Sequence, residues 1–131
     1  MKIGVFGGTF DPVHLGHVAL VEMAVRELSL DLLYVIPNGN PPHKDEGTKK
    51  EHRFQMVKTA FAPIPKVTVC DYEICKTTYS YTYETLAYLK EKHPQDTLYF
   101  LMGMDNVPEI FGWKKPEEIC RLAHLAFFGR P

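Results

Sequence analysis

"KIGVFGGTFDPVHLGH" fills residues 2–17, and the order of residue types in it decides how the rest of the chain is read. Residues 2–6 are a short apolar run that reads as a strand, stopped by Gly7-Gly8. From residue 15 to 28 the pattern turns helical. Val18, Val21, Val25 and Leu28 give an i, i+3, i+7 apolar repeat, with Leu20, Met23, Ala24 and Glu27 on another side.

The same alternation continues outward. Residues 32–36, LLYVI, form a compact apolar strand ended by Pro37. A polar loop follows, "PNGNPPHKDEGTKK" at 37–50, long enough to suggest a functional segment. Residues 51–61 read as a helix with Phe54, Val57 and Phe61 on one face. Residues 67–69 begin a third strand. Residues 83–92 make a third helix, ended at His93-Pro94 because proline disfavours helical backbone before it. Residues 98–102 are a fourth strand, stopped by Gly103. Residues 116–122 make a short helix with Pro116 in its first turn, and residues 125–128 are a fifth strand. Apolar strands separated by helices imply an α/β fold: a doubly wound, parallel, five-stranded sheet covered on both faces.

With 131 residues the chain has the size of one domain, expected to span 1–131. Hydrophobic residues make up 45% and charged residues 24%, as in ordinary soluble globular proteins. A formal net charge of -1 gives no bulk electrostatic case for nucleic acid or a membrane surface, but leaves room for a local basic site for a small anion. Cys70, Cys75 and Cys120 match no common zinc spacing and read as thiols in a reducing cytosol. Strand-like sequence from Lys2 gives no signal-peptide pattern, and the apolar stretch at 18–25 is interrupted by Glu22 and too short to span a bilayer. A cytoplasmic location is expected, and a homo-oligomer is left open.

In an open parallel sheet, ligands bind beyond the carboxyl ends of the strands. The unusual segments fall there: Gly7-Gly8-Thr9-Phe10, residues 38–44, and Gly103-Met104-Asp105. Gly7 and Gly8 allow a sharp turn and close approach of a phosphate, and the following helix would present free N–H groups and a positive dipole end. The spacing is neither G-x-G-x-x-G nor G-x-x-x-x-G-K-[ST], so neither a dinucleotide fingerprint nor a P-loop is present. His14 and His17 lie on one side of a helix start. Three readings remain open for them: capping or packing, N–H donation to phosphate oxygens, or metal binding with a third ligand. Gly16 between them removes bulk, as though something large or flat must come close.

"GGTFDPVHLGH" at 7–17 resembles the G-x-F-x-P-x-H-x-G-H signature of the H-x-G-H nucleotidyltransferases. "PNGNPPHK" at 37–44, "SYTYETLAYL" at 80–89, "FLMGMD" at 100–105, Trp113 and "FFGRP" at 127–131 are similar, in the same order, to segments of the nicotinate-nucleotide adenylyltransferases. The resemblance implies transfer of AMP from ATP to nicotinate mononucleotide, with release of pyrophosphate. It implies that His14 and His17 contact the ATP phosphates and that Lys44 holds phosphate charge. The turn with Gly8, Thr9, Phe10 and Gly16 would cradle phosphate, Gly103 and Asp105 would lie near the adenosine ribose, and Thr82 and Trp113 would line the pyridine nucleotide site. Mg²⁺ would accompany ATP, held by phosphate oxygens and water, with no protein ligand assigned.

Each residue also has a plainer reading. Lysine is a point-charge phosphate binder, Asp105 serves equally as a turn or helix cap, Trp113 as core, and Thr82 as a helix start. His43, His52, His93 and His124 read as solvated or packed. Members of the family continue with an I-S-[AST]-T-x-[IL]-R-like segment, so the resemblance implies a core domain without that segment. The alternatives are a non-catalytic or impaired nucleotide-binding fragment, or a related transferase acting on phosphopantetheine or a glycerol phosphate.

Overall fold

The computed structural model describes residues 1–10, 12–39, 49–76, 81–103 and 112–128. Within them the chain runs β1 (Lys2–Gly8), α1 (Leu15–Glu27), β2 (Leu32–Pro37), α2 (Lys50–Phe61), β3 (Val67–Val69), α3 (Thr82–Lys92), β4 (Thr97–Gly103), α4 (Pro116–Leu122) and β5 (His124–Phe128). The strands form one sheet in the order β3-β2-β1-β4-β5, every pair parallel. This is the doubly wound α/β arrangement expected from the alternation of strands and helices.

Alternation inside each strand sends neighbouring side chains to opposite faces. Ile3, Val5, Tyr34, Ile36, Leu98, Phe100 and Met102 point to one side, where Leu86 and Leu89 of α3 and Ile119 of α4 meet them. Phe6, Leu33, Val35 and Leu101 point to the other, against Val21 and Ala24 of α1 and Val57 and Phe61 of α2. The chain therefore winds outward from β1 to β3 over one face, then restarts beside β1 and winds the other way over the second face, as right-handed crossovers require.

The restart splits the carboxyl edge of the sheet. β1 pairs with β4 from Lys2↔Thr97 to Val5↔Phe100, while its pairing with β2 continues to Gly8↔Pro37. β4 in turn stays with β5 to Gly103↔Phe128. The last three residues of β1 and of β4 thus run without pairing to one another. That split, at the carboxyl edge where the winding reverses, is the position at which doubly wound sheets take their ligands.

Two local expectations change. Gly7 and Gly8 pair with Ile36 and Pro37, so they extend β1 and the turn begins at Thr9. Glycine weakens a strand by entropy but still supplies ladder groups. On α2 the stripe facing the sheet is Arg53, Val57 and Phe61, with Phe54 only half-buried. His93 is packed: its Nε2 is 2.9 Å from the Tyr34 hydroxyl and its Nδ1 is 3.3 Å from an Asp96 carboxylate oxygen.

Candidate functional site

The start of α1 is capped by imidazoles. His14 is the N-cap residue, and its Nδ1 accepts the Gly16 N–H at 3.1 Å. His17 reciprocates: its Nδ1 accepts the His14 N–H at 3.0 Å. The two rings stack with centroids 3.7 Å apart. This is a capping box built from histidines instead of Ser and Glu. Each Nδ1 accepts a hydrogen bond, so each neutral ring carries its proton on Nε2. The capping reading is therefore realised. Backbone N–H groups expected to be open at this helix start are in part occupied: those of His14 and Gly16 by imidazole, that of His17 by the His14 carbonyl at 3.0 Å. The first turn of α1 has no acidic side chain, so the positive end of its dipole is uncompensated by the helix itself.

Phe10 holds this pair in place. Its backbone is left-handed, with φ 50°, uncommon for a residue with a Cβ. Its ring is only 3% exposed and meets Phe6 edge-on at 5.5 Å and His17 edge-on at 4.9 Å. The left-handed turn reverses the chain so that Phe10 fills the core beneath His17. Gly16 has a near reason for lacking a side chain: a Cβ there would lie 2.9 Å from Cε1 of His14. The space expected for a ligand beside Gly16 is taken by the capping ring itself. At Gly8 a Cβ would press on the Phe10 ring at 3.2 Å.

Two buried charged side chains tie the neighbouring strand ends together, and neither stands out in the sequence. Arg53, 4% exposed, donates to the Thr9 carbonyl at 2.8 Å, the Asn38 carbonyl at 2.7 Å and the Gly39 carbonyl at 3.4 Å. It staples the turn after β1 to the turn after β2. Glu73, 6% exposed, follows β3 and accepts the Thr85 hydroxyl of α3 at 2.7 Å. Gly39 packs on the Glu73 backbone so tightly that a Cβ there would sit 2.0 Å from the Glu73 carbonyl oxygen. The available signal was the spacing of Arg53, Val57 and Phe61, which places a charge in an apolar i, i+4, i+8 stripe. Glu73 had none.

Burial pushes the Glu73 carboxyl up to about 7, against the Thr85 hydrogen bond and the nearby Lys76, which pull it down. A carboxyl raised in the folded state stabilises the fold at low pH. That contribution is fully present below the usual carboxylate range and is lost as pH rises through about 7. Between about pH 5 and about pH 8 this group should cost the wild type roughly 2–3 kcal/mol of stability. Glu73→Gln has no proton to lose and should flatten that slope in urea unfolding; an equal slope in both proteins would exclude Glu73 as its source.

The other described site residues belong to β4, to α3 and to the turn before α4. Gly103 ends β4, and among the described residues no atom lies within 4 Å of where a Cβ would be. Thr82 is the first residue of α3, so the helix-start reading holds for it. Trp113 is half-buried and meets Phe100 edge-on at 5.9 Å. The structure thus makes two groups. His14, His17, Phe10 and Gly16 belong to the α1 face of the split; Thr82 and Trp113 belong to elements of the α3 and α4 face. Lys44 and Asp105 lie outside the described residues. Among the described residues no three His, Cys, Asp or Glu side chains gather into a metal-binding group. The two histidines spend Nδ1 on the cap, and nitrogen donors suit magnesium poorly. No described helix is long and apolar enough to cross a membrane.

Fold and site together define a doubly wound α/β domain with a histidine-capped helix start at its switch point. The cytidylyltransferase-like family model matches residues 5–131, and the chain belongs to that family. It is 44% identical, over an alignment of 132 residues, to a Clostridium perfringens (strain SM101 / Type A) protein named "Probable nicotinate-nucleotide adenylyltransferase", covering 99% of this chain and 65% of the relative. It is 42% identical to a Clostridium tetani protein of the same name, covering 99% and 66%. The chain therefore spans about 65% of the length of the curated relatives it matches. The solved structure of Plasmodium falciparum nicotinic acid mononucleotide adenylyltransferase complexed with APC shares the fold, with a TM-score of 0.78 at 20% identity, covering 99% of this chain and 75% of that one.

Proposed function

We propose that this chain forms the core of a nucleotidyltransferase that moves the adenylyl group of ATP to nicotinate mononucleotide, giving deamido-NAD and pyrophosphate, a step of NAD biosynthesis. The observation that carries the reading is the locked imidazole pair. Two imidazoles at a helix start whose own first turn carries no acidic side chain, beside the switch point, suit a triphosphate whose charge rises during transfer. The names of the relatives supply the substrates.

The reaction needs no protein nucleophile. A 5′-phosphate oxygen of the mononucleotide attacks the α-phosphorus of ATP; the new P–O bond forms as the bond to the β-phosphate breaks, and pyrophosphate leaves. The protein then has two tasks, to hold both nucleotides in line and to stabilise charge on the transferring group. In this reading His14 and His17 donate to phosphate oxygens, the Thr9–Phe10 turn and Lys44 hold the triphosphate, and Gly103 and Asp105 lie by the ribose. Thr82 and Trp113 receive the pyridine nucleotide from the opposite side of the split. Magnesium would arrive on the triphosphate, held by its oxygens and water, and supply further charge neutralisation. The proposed setting is the cytoplasm.

The test is pyrophosphate release from ATP with nicotinate mononucleotide, beside a panel with nicotinamide mononucleotide and phosphopantetheine. Release that depends on nicotinate mononucleotide is expected. No release by this chain and none by a version extended to the length of its relatives would refute the reading. Nucleotide binding without turnover in both would assign a binding role instead.

A further inference from the structure

We infer that Glu73 is a positioning residue for the mononucleotide half of the site, acting through the first turn of α3. The inference rests on the functional reading above. Among the described residues the hydrogen bond of the Glu73 side chain goes to Thr85, and its backbone abuts Gly39, so it sits between two groups that do the holding. Its Oε2 accepts the Thr85 hydroxyl at 2.7 Å, and that hydroxyl lies 3.4 Å from the Tyr81 carbonyl at the N-cap of α3. Thr85 lies one turn after Thr82 on the same side of the helix. On its other flank the Glu73 backbone abuts Gly39, whose carbonyl Arg53 holds together with that of Thr9. Thr85, Glu73, Gly39, Arg53 and Thr9 thus form one continuous series of contacts from the start of α3 to the turn after β1.

An apolar pair could occupy the place of Glu73 and Thr85 without burying a carboxyl. What the polar pair adds is direction: a short hydrogen bond fixes where α3 begins relative to the strand ends, which packing alone does less sharply. Tyr81 carries no side-chain cap of its own, so this contact is a directional restraint on the helix start. Among the described residues the charged groups acting on Glu73 are Lys76 of its own turn and Glu84 of α3, themselves paired at 3.7 Å. From α2, Lys50 reaches the Lys76 carbonyl at 3.3 Å, and Arg53 lies across Gly39.

The experiment is calorimetric titration of nicotinate mononucleotide and of ATP, each into the full chain and into Glu73→Gln, Glu73→Ala and Thr85→Val. Titrations near pH 6 and near pH 8 are compared, and thermal unfolding checks each variant. Glu73→Ala and Thr85→Val should raise the mononucleotide Kd about tenfold and the ATP Kd by less than about threefold. Glu73→Gln keeps an acceptor for Thr85 and should stay near wild type, but without the wild type's change in mononucleotide affinity between the two pH values. Should Glu73→Ala fail to fold, Thr85→Val and Glu73→Gln decide the matter. Equal loss for both nucleotides, no loss for either, or an identical pH response in wild type and Glu73→Gln would overturn the inference. A wild type that binds neither nucleotide would defeat the functional reading, and with it the site that Glu73 is argued to position.

Discussion

His17→Gln should slow pyrophosphate release by about 100-fold or more, while changing unfolding free energy by less than about 1 kcal/mol. The two effects separate because His17 has two uses. Its Nδ1 closes the cap by accepting the His14 N–H at 3.0 Å. Glutamine at this third helical position is the ordinary partner in a capping box, so a Gln carbonyl can take over that acceptance. The Nε2–H of the ring, and its edge-on seat on Phe10 at 4.9 Å, are lost. His17→Ala should lose both, adding about 1 kcal/mol of destabilisation to a comparable loss of rate. Steady-state assays with urea unfolding on the same preparations check this. Wild-type turnover in His17→Gln would assign the imidazole to the cap alone. The experiment is needed because the fold uses the ring as a cap whether or not phosphate ever meets it.

Gly39→Ala should destabilise the fold by roughly 3 kcal/mol or more. A Cβ at Gly39 would lie 2.0 Å from the Glu73 carbonyl oxygen and 2.8 Å from its carbon, and 3.2 Å from the Ile74 Cα. All three are backbone atoms, so no side chain can swing aside to make room. Relief requires the turn after β2 and the turn after β3 to separate, which also pulls the Gly39 carbonyl from Arg53. A buried guanidinium losing an acceptor adds to the cost. Gly103→Ala is the comparison: among the described residues nothing lies within 4 Å of its Cβ, and its stability should change by less than about 0.5 kcal/mol. Gly103 would then show its need for glycine only in ATP affinity. Similar unfolding midpoints for the two variants would contradict this account of Gly39.

The glycines make a wider point about the site. From the sequence, Gly8 and Gly16 both read as room for a ligand. In the structure the space beside each is filled by the protein's own rings, Phe10 at one and His14 at the other. The absent side chains let the turn fold back on itself and stack its rings, and this folding presents the donors. Among the described residues it is Gly103 that has no atom within 4 Å of a Cβ position, beside the three residues by which β1 and β4 outrun their shared ladder.

The sequence by itself determined the order of elements, the parallel sheet and the side of it on which chemistry gathers. These follow from periodicity, which is a local property: a strand alternates and a helix repeats whatever lies opposite. Residues 67–69 and 116–122 match their elements to the residue, and the histidines and glycines at the end of β1 are legible because they are adjacent in the chain. Tertiary structure alone decided the rest. Arg53 is buried because the carbonyls of Thr9, 44 positions away, and Asn38, 15 away, converge on it. Glu73 is buried against Thr85, 12 positions on, and against the backbone beside Gly39. A charged residue reads as surface until its partners are brought to it, and only the folded chain, by removing water and supplying those partners, makes its burial tolerable.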